Sequence, residues 1–224
     1  MITLTTALSQ SFAPADLPAA VRAALGKPLR RAAPLTQLAL VGALACLPAE
    51  RRALPTALLW QSTSGPRLET QTLLDEICAC SAEPMPYDFL ATQPAIAAAQ
   101  IQTFLPGLQT AMHLPLDSEG VANWSLLLSL AIVWLNEGRC AQVLCAQLDH
   151  AADAASGHWL ALSRTPLENS PASLQLAEGT ARNTLPDTPD FPARLAEWLT
   201  GATAPTLSLQ SPVAMKLTVE FTRL

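Results

Sequence analysis

The sequence predicts an α/β fold in which a mixed, mainly parallel sheet carries helices on both faces. Short apolar segments bounded by turn-forming residues alternate with segments of helical periodicity. Two of these segments, 56–62 and 140–149, are predominantly apolar, which is typical of strands buried on both faces. The helix around 124–135 has almost no polar side, so protein must enclose it. Alternating strands and helices of this kind favour a parallel sheet over a purely antiparallel one.

Local patterns place the elements of the first half. A helix is predicted to begin near Pro34, because proline lacks an N–H group and the first residue of a helix does not need one. The prolines after residue 80 predict a loop. Apolar spacing gives residues 67–80 an apolar side made of Leu68, Leu73, Leu74 and Ile77. The predicted order is an edge strand (1–8), helices (15–26 and 34–47), a buried strand (56–62), an amphipathic helix (67–80), a loop (81–94) and a small-residue helix (95–105).

The second half continues the alternation and then becomes richer in strands. The predicted order is a strand (108–114), the buried helix (120–137), a buried strand (140–149), its antiparallel neighbour (157–164), a shorter strand at the same edge (172–177), a polar linker (178–192), a short helix (193–201) and a final strand pair (205–224). We assign residues 1–180 to one domain. Residues 181–224 supply a linker, a short helix and strands that complete it.

Composition excludes several classes of protein. A net charge of −5 without a basic run argues against nucleic acid as a partner. Neither a GxGxxG fingerprint nor a phosphate-binding loop is present, and the cysteines lack zinc spacing, so we expect no cofactor and no metal. The N-terminal segment lacks the features of a signal peptide, and no apolar run approaches the roughly 20 residues that cross a bilayer. We expect a cytoplasmic protein with reduced thiols and no membrane partner.

The low charge also points to a protein partner. Half of the residues are hydrophobic and only 14% are charged, which leaves little charge to cover the surface of a lone domain. Part of this surface is therefore expected to lie against another subunit.

The turn "DSEG" at 117–120 joins a strand to the buried helix, the place where many α/β enzymes present a nucleophile. Ser118 fits an N-cap and Glu119 complements the helix dipole. Alternatively, Ser118 is the nucleophile of a hydrolase or acyltransferase with His150 or His158 as base. Asp117 replaces the first glycine of a G-x-S-x-G elbow, which favours the cap.

Residues 34–165 resemble the N-terminal half of a β-ketoacyl-acyl-carrier-protein synthase, a member of the thiolase superfamily. The resemblance rests on the order of Pro106-Gly107, the strand, the buried helix, Glu137-Gly138-Arg139 and the strand ending at Asp149. Upstream, "ALLWQSTSGP" resembles an early strand of that family. The resemblance implies a thiolase-like half-fold. It also implies that subunits dimerise through the strand 108–114, which would pair antiparallel with the same strand of the second subunit.

The departures from this family imply that the chain is not catalytic by itself. No cysteine lies between Cys80 and Cys140, although the resemblance places the nucleophile within 115–121. The positions equivalent to the missing nucleophile are Leu116, Ser118, Glu119 and Val121. The resemblance also places two catalytic histidines in the second half of the family fold, and we expect that half to be absent here.

The resemblance therefore predicts a chain-length-factor-like subunit that pairs with a full-length β-ketoacyl-acyl-carrier-protein synthase in fatty acid or polyketide synthesis of the aryl polyene type. Acyl carrier protein is a further expected partner. A homodimeric scaffold without an acyl tunnel is the other alternative. Trp124 would belong to the core or floor an acyl channel, and His113 would be a core or an interface histidine. The predicted tunnel and interface residues are Gln93, Ile96, Gln100, Phe104, Thr110, Met112, His113, Leu114, Leu116 and Trp124.

Overall fold

The computed structural model describes residues 1–30, 32–79, 85–116, 122–167, 169–177, 183–201, 204–211 and 217–224, with the side chains of 96–98 left out. The helices are α1 (Leu17–Leu25), α2 (Pro34–Cys46), α3 (Arg67–Ala79), α4 (Pro86–Ala91), α5 (Pro94–Gln102), α6 (Trp124–Asn136) and α7 (Phe191–Thr200). The strands are β1 (Ile2–Phe12), β2 (Thr56–Ser62), β3 (Leu108–Pro115), β4 (Gln142–His150), β5 (Ala155–Ser163), β6 (Ala172–Ala177), β7 (Thr184–Leu185), β8 (Thr206–Gln210) and β9 (Thr218–Arg223).

All of these strands belong to one mixed sheet in the order β3-β2-β4-β5-β1-β6-β9-β8-β7. The segment β3-β2-β4 is parallel, as is the pair β7-β8, and the other neighbours are antiparallel. The parallel segment arises where helices connect the strands, whereas the short β4–β5 connection permits only an antiparallel pair. The α/β class and the mixed sheet are as predicted. The sheet is parallel at β3-β2-β4, but five of its eight described strand pairs are antiparallel, so the prediction of a mainly parallel sheet holds only for that segment.

Two apolar cores lie on opposite faces of this sheet. Leu58 and Trp60 of β2 face α2 and α5, whereas Ala57 and Leu59 face α6. The helix α6 contacts β2 and β4 near one end of the sheet and also β6 and β9 beyond its middle. The helix α6 therefore lies across the sheet, and most of its residues are buried against this face, as its apolar sequence requires.

A close helix–sheet contact explains the glycine in α2. A Cβ at Gly42 would lie 2.1 Å from Cε2 of Trp159, a fully buried side chain of β5. Glycine costs helix stability relative to alanine, yet here it lets α2 approach the sheet. This contact fixes α2 against the face opposite α6.

The predicted positions of two strands in the sheet, and one predicted loop, were wrong. The strand predicted at an edge, β1, lies inside the sheet between β5 and β6, because alternation shows which face is buried but not how many neighbours a strand has. For the same reason β6 does not extend the edge beside β5. The predicted loop 81–94 contains α4, where Pro86 begins a helix instead of ending one.

The amphipathic prediction for α3 was also wrong in part. Leu73 is buried, but Leu74 and Ile77 are 49% and 42% exposed. The helix packs mainly against the short α4 and not against the sheet, so no broad apolar surface covers its predicted apolar side. Among the residues described, no helix is both long and apolar enough to span a bilayer.

Candidate functional site

β3 forms one end of the sheet, and β2 is its only strand partner among the described residues. Within the described part of the chain, no strand covers its outer backbone groups. Thr110 is exposed and Met112 is 39% exposed, whereas Leu114 is half-buried against the core around α6. An edge strand of 8 residues whose outer side has no strand partner among the described residues is a template for pairing with another chain.

His113 lies on the other face of β3. Its ring packs against Trp60 with 4.2 Å between ring centroids. Burial lowers the pKa of His113, and its Nε2 atom is buried without a hydrogen-bond partner among the described residues. An imidazole that packs at a tilt of 40° against a buried tryptophan is a packing residue at the sheet edge.

The predicted residues of α5 lie beside this strand, because α5 packs against β3. Gln93, at the N-cap of α5, is exposed, and Gln100 is half-buried. Phe104 is half-buried beneath the Lys27 ammonium, which stands 5.6 Å from the ring centroid. The side chain of Ile96 lies outside the described residues.

The start of α6 differs from the prediction. The helix begins at Trp124 with Asn123 as its N-cap, and not at about residue 120 as predicted. Ser118, Glu119 and Val121 lie outside the described residues, and Leu116, just before them, is half-buried. Their predicted roles at the position of a missing nucleophile stay predictions.

A carboxylate from a distant segment caps α6 instead. Asp187 accepts hydrogen bonds from the Trp124 N–H at 2.9 Å, the Ser125 N–H at 3.1 Å and the Ser125 hydroxyl at 2.7 Å. Burial raises the pKa of Asp187, and these hydrogen bonds oppose that rise. The helix N-terminus, where anions bind readily, is therefore already occupied by a side chain of the protein.

Trp124 lies wholly inside the core. It has no exposed surface, its indole N–H donates to the Pro189 carbonyl at 3.3 Å, and its ring stands 6.3 Å from that of Phe191. It is a core residue, the first of its two predicted roles, and it adds nothing to the exposed face of β3.

A row of polar side chains crosses the sheet beside the start of α6. Gln61, Gln147 and His158 are neighbours in register on β2, β4 and β5, on the face that carries α6. Both glutamines are fully buried. Gln61 Oε1 accepts the Asn123 N–H at 3.0 Å, and His158 Nδ1 is 2.9 Å from Ser9 Oγ.

The two glutamines are only partly satisfied. Gln61 Nε2 and Gln147 Oε1 have no hydrogen-bond partner within the described residues. An amide can donate to a carbonyl or accept from a hydroxyl, but it does not titrate near neutral pH and is not a nucleophile. This row can hold a neutral polar group, and its amides supply neither a general base nor a nucleophile.

Asp149 fixes the turn that follows β2. Its Oδ1 accepts from the Thr63 N–H and hydroxyl, each at 2.7 Å, from the Ser64 N–H at 3.0 Å and from the Ser62 hydroxyl at 3.1 Å. Gln147 Nε2 donates to Oδ2. Burial alone would raise the pKa of Asp149, but these hydrogen bonds outweigh it and hold the pKa below its ordinary value.

The histidines required by a Ser118-dependent reaction have other neighbours. His158 contacts Ser9, as described above, and burial lowers its pKa against the opposing charges of Asp190 and Asp149. His150 Nδ1 lies 3.7 Å from Glu69 Oε1. Since Ser118 is outside the described residues, the hydrolase alternative stays an untested prediction.

The cysteines described in the structure are not arranged for catalysis. Cys46, Cys140 and Cys145 are buried, and burial raises the pKa of each thiol. Cys78 is exposed on α3. A protonated, buried thiol is a poor nucleophile, and none of these four residues stands at the start of α6. Among the described residues, no three His, Cys, Asp or Glu side chains are grouped to hold a metal ion.

Sequence reasoning missed Gln61, Gln147, Asn123 and Asp187. The glutamines could have been found, because a polar amide within a strand predicted to be buried on both faces demands partners. Nothing in the sequence indicated that Asp187 caps α6, since it lies in the segment predicted as a polar linker, far along the chain from Trp124.

Solved structures share this fold. The ishigamide ketosynthase/chain length factor aligns over 99% of this chain and 98% of its own, with a TM-score of 0.62 and 13% identity. The structure of the ketosynthase ApeO in complex with its chain length factor ApeC, from Xenorhabdus doucetiae, aligns over 99% of this chain and 99% of the matched chain, with a TM-score of 0.56 and 16% identity. The AntDE:AntF complex, a type II polyketide acyl-carrier protein with its ketosynthase, aligns over 100% of this chain and 99% of its own, with a TM-score of 0.55 and 7% identity.

At such identities the likeness shows the fold, which is a thiolase-like α/β fold. These alignments extend over nearly the whole of both chains and are not confined to an N-terminal half. No protein-family model and no curated protein matches the sequence.

Proposed function

We propose that this chain is a non-catalytic, chain-length-factor-like subunit that pairs with an active β-ketoacyl-acyl-carrier-protein synthase. The observation that carries the proposal is the open outer side of β3, which among the strands that the structure describes pairs with β2 alone. A second strand added there would satisfy the backbone groups of β3 and cover Thr110 and Met112. The fold shared with two ketosynthase–chain length factor structures supports the same pairing.

The chemistry of the start of α6 supports a role without catalysis. No cysteine lies between Cys80 and Cys140, and Asp187 occupies the helix N-terminus that would otherwise stabilise a thiolate. The partner would supply the nucleophile, while this chain would shape the space beside it. Residues 1–180 and 181–224 would together make one domain, since β7, β8 and β9 of the second part continue the sheet of the first part beyond β6.

The class of product is a finer part of the proposal. Synthesis of an aryl polyene type of chain, with acyl carrier protein as a further partner, rests on the resemblance found in the sequence. Gln93, Gln100, Phe104 and Leu114 would line the shared surface, because α5 packs against β3.

Pairing through β3 predicts that Met112→Glu weakens binding to the synthase. A tagged chain is expected to capture a full-length β-ketoacyl-acyl-carrier-protein synthase from a lysate of its source cells, as identified by mass spectrometry. A carboxylate buried without a partner at the interface should weaken this binding on the order of 100-fold or more, measured by titration with the purified synthase.

Leu176→Glu is the matched control, because Leu176 is 43% exposed and Met112 is 39% exposed, and both lie on strands, while β6, the strand of Leu176, stands well away from β3 in the sheet order. It should leave the affinity unchanged. Recovery of the chain as a homodimer that no synthase joins would refute the proposal. Equal loss in both variants would refute the place of β3 in the interface.

A further inference from the structure

A cavity of about 400 Å³ lies on the face of the sheet opposite α6, between the start of α2, the helices α3 and α4, and the end of β4. The odd-numbered residues Val143 and Cys145 of β4 face α6, whereas Leu144 and Ala146 face α2, and His150 continues that even series. The cavity is therefore separate from the polar row beside α6. Its lining comprises Pro34, Leu68, Glu69, Thr72, Leu73, Glu76, Asp88, Ala91 and His150.

Glu69 is the unusual member of this lining. Its side chain is only 10% exposed, and neither carboxylate oxygen has a hydrogen-bond partner within the described residues. The nearest basic atom that the structure pairs with it is His150 Nδ1, at 3.7 Å from Oε1, which is longer than a hydrogen bond. Leaving a buried carboxylate without donors is costly, so this group is set to accept from something that enters the cavity.

A second cavity, of about 480 Å³, meets the first at the same carboxylate. It shares Pro34, Glu69 and Ala91 and is otherwise mostly apolar, with Leu29 and Leu90 among its walls. Glu69 therefore stands between two spaces that together suit an apolar body with one polar end.

The charges of the residues that line the two cavities determine whether the polar end of a ligand is an anion or a cation. Glu76 and Asp88 add two carboxylates near Glu69, and the described residues that line the two cavities include no lysine or arginine. Such a site repels anions and attracts cations. The described residues offer no group of three metal-binding side chains, and the walls are largely apolar, so an organic cation fits better than a metal ion.

We propose that this cavity binds a small primary amine with an apolar body, whose ammonium group donates hydrogen bonds to Glu69. The ammonium supplies the donors that Glu69 lacks, and its apolar part lies against Leu68, Leu73 and Ala91. The cavity that contains His150 has none of the residues proposed for pairing with the synthase in its lining, whereas the adjoining cavity includes Gln100 of that surface. Both cavities are separate from any acyl group near α6.

The test compares three probes of equal chain length, n-hexylamine, n-hexanol and hexanoate, by isothermal titration calorimetry at neutral pH. Hexylamine should bind at least tenfold more tightly than hexanol, and hexanoate should not bind. Glu69→Gln should abolish the preference for the amine. Glu197→Gln, an exposed substitution on α7, should keep it.

Glu69→Gln removes a buried charge and keeps the shape of the side chain, so the variant should fold. The comparison of the three probes on the unsubstituted chain does not depend on that variant. Equal affinity for hexylamine and hexanol, no binding of hexylamine, or unchanged hexylamine binding in Glu69→Gln would each overturn the proposal. Capture of the synthase is measured separately, so the two proposals can fail independently.

Discussion

Replacing Asp149 with alanine is expected to lower the free energy of unfolding by about 3 kcal/mol. The carboxylate accepts from Ser62, Thr63, Ser64 and Gln147, and truncation leaves these partly buried donors without an acceptor. Hydrogen bonds to a charged acceptor are worth more than neutral ones, and a donor left unpaired costs its desolvation. Chemical denaturation of the variant and the unsubstituted chain measures the difference.

Asp153→Ala is the control, since Asp153 is exposed in the loop between β4 and β5. It should change the free energy of unfolding by no more than about 0.5 kcal/mol. A loss in Asp149→Ala as small as that in Asp153→Ala would show that the turn after β2 is held by other contacts.

The same carboxylate predicts a dependence of stability on pH. The pKa of Asp149 is lower in the folded chain than its ordinary value, so the folded state binds fewer protons. Its contribution is complete above the unfolded pKa of about 3.9 and is lost as the pH falls through the folded-state pKa. Asp149→Asn should flatten the decline of unfolding free energy below about pH 5, and an unchanged decline would contradict the assignment.

Much of the fold could be predicted from the sequence, and the reasons are local. β2 has the predicted bounds, because a short apolar run between Pro55 and a serine-rich turn has few alternatives. Helix α2 begins at Pro34 as expected. These elements depend on neighbouring residues, which a single sequence displays.

The predictions that were wrong concern features that depend on residues distant in sequence. The start of α6 was predicted at residue 120 from a Ser–Gly turn, but the helix begins where Asp187 can reach its free N–H groups. The interior place of β1 likewise depends on β5 and β6, which come much later in the chain. Of the site, the edge position of β3 was expected through the family resemblance, whereas Gln61 and Gln147 were overlooked within apolar strands.

Replacing Asp187 with alanine is the second substitution with a large expected effect, a loss of about 2 kcal/mol in the free energy of unfolding. The N–H groups of Trp124 and Ser125 and the Ser125 hydroxyl would lose their shared acceptor in a half-buried place. Hydrogen exchange at the amides of Trp124 and Ser125 should accelerate more than exchange in the middle of α6. Denaturation and exchange are both measured on the same protein.

Asp187→Asn separates the shape of this cap from its charge. Because burial raises the pKa of Asp187, the charged form gains little from its place, and a neutral side chain that keeps one acceptor oxygen should lose less stability than alanine does. Equal losses in the two variants would mean that the full negative charge holds the start of α6.

The interior position of β1 has a consequence for how the chain reaches its folded state. Thr3 pairs with Ser163, and Ile2 pairs with Leu174, so β1 cannot enter the sheet until both partner strands have left the ribosome. At about 5–20 residues per second, translation of the intervening chain takes roughly 10–30 s. Pairings between such distant residues also close slowly after synthesis. During that interval the first strand exposes two unpaired edges, and the yield of folded protein in a cell depends on what shields them.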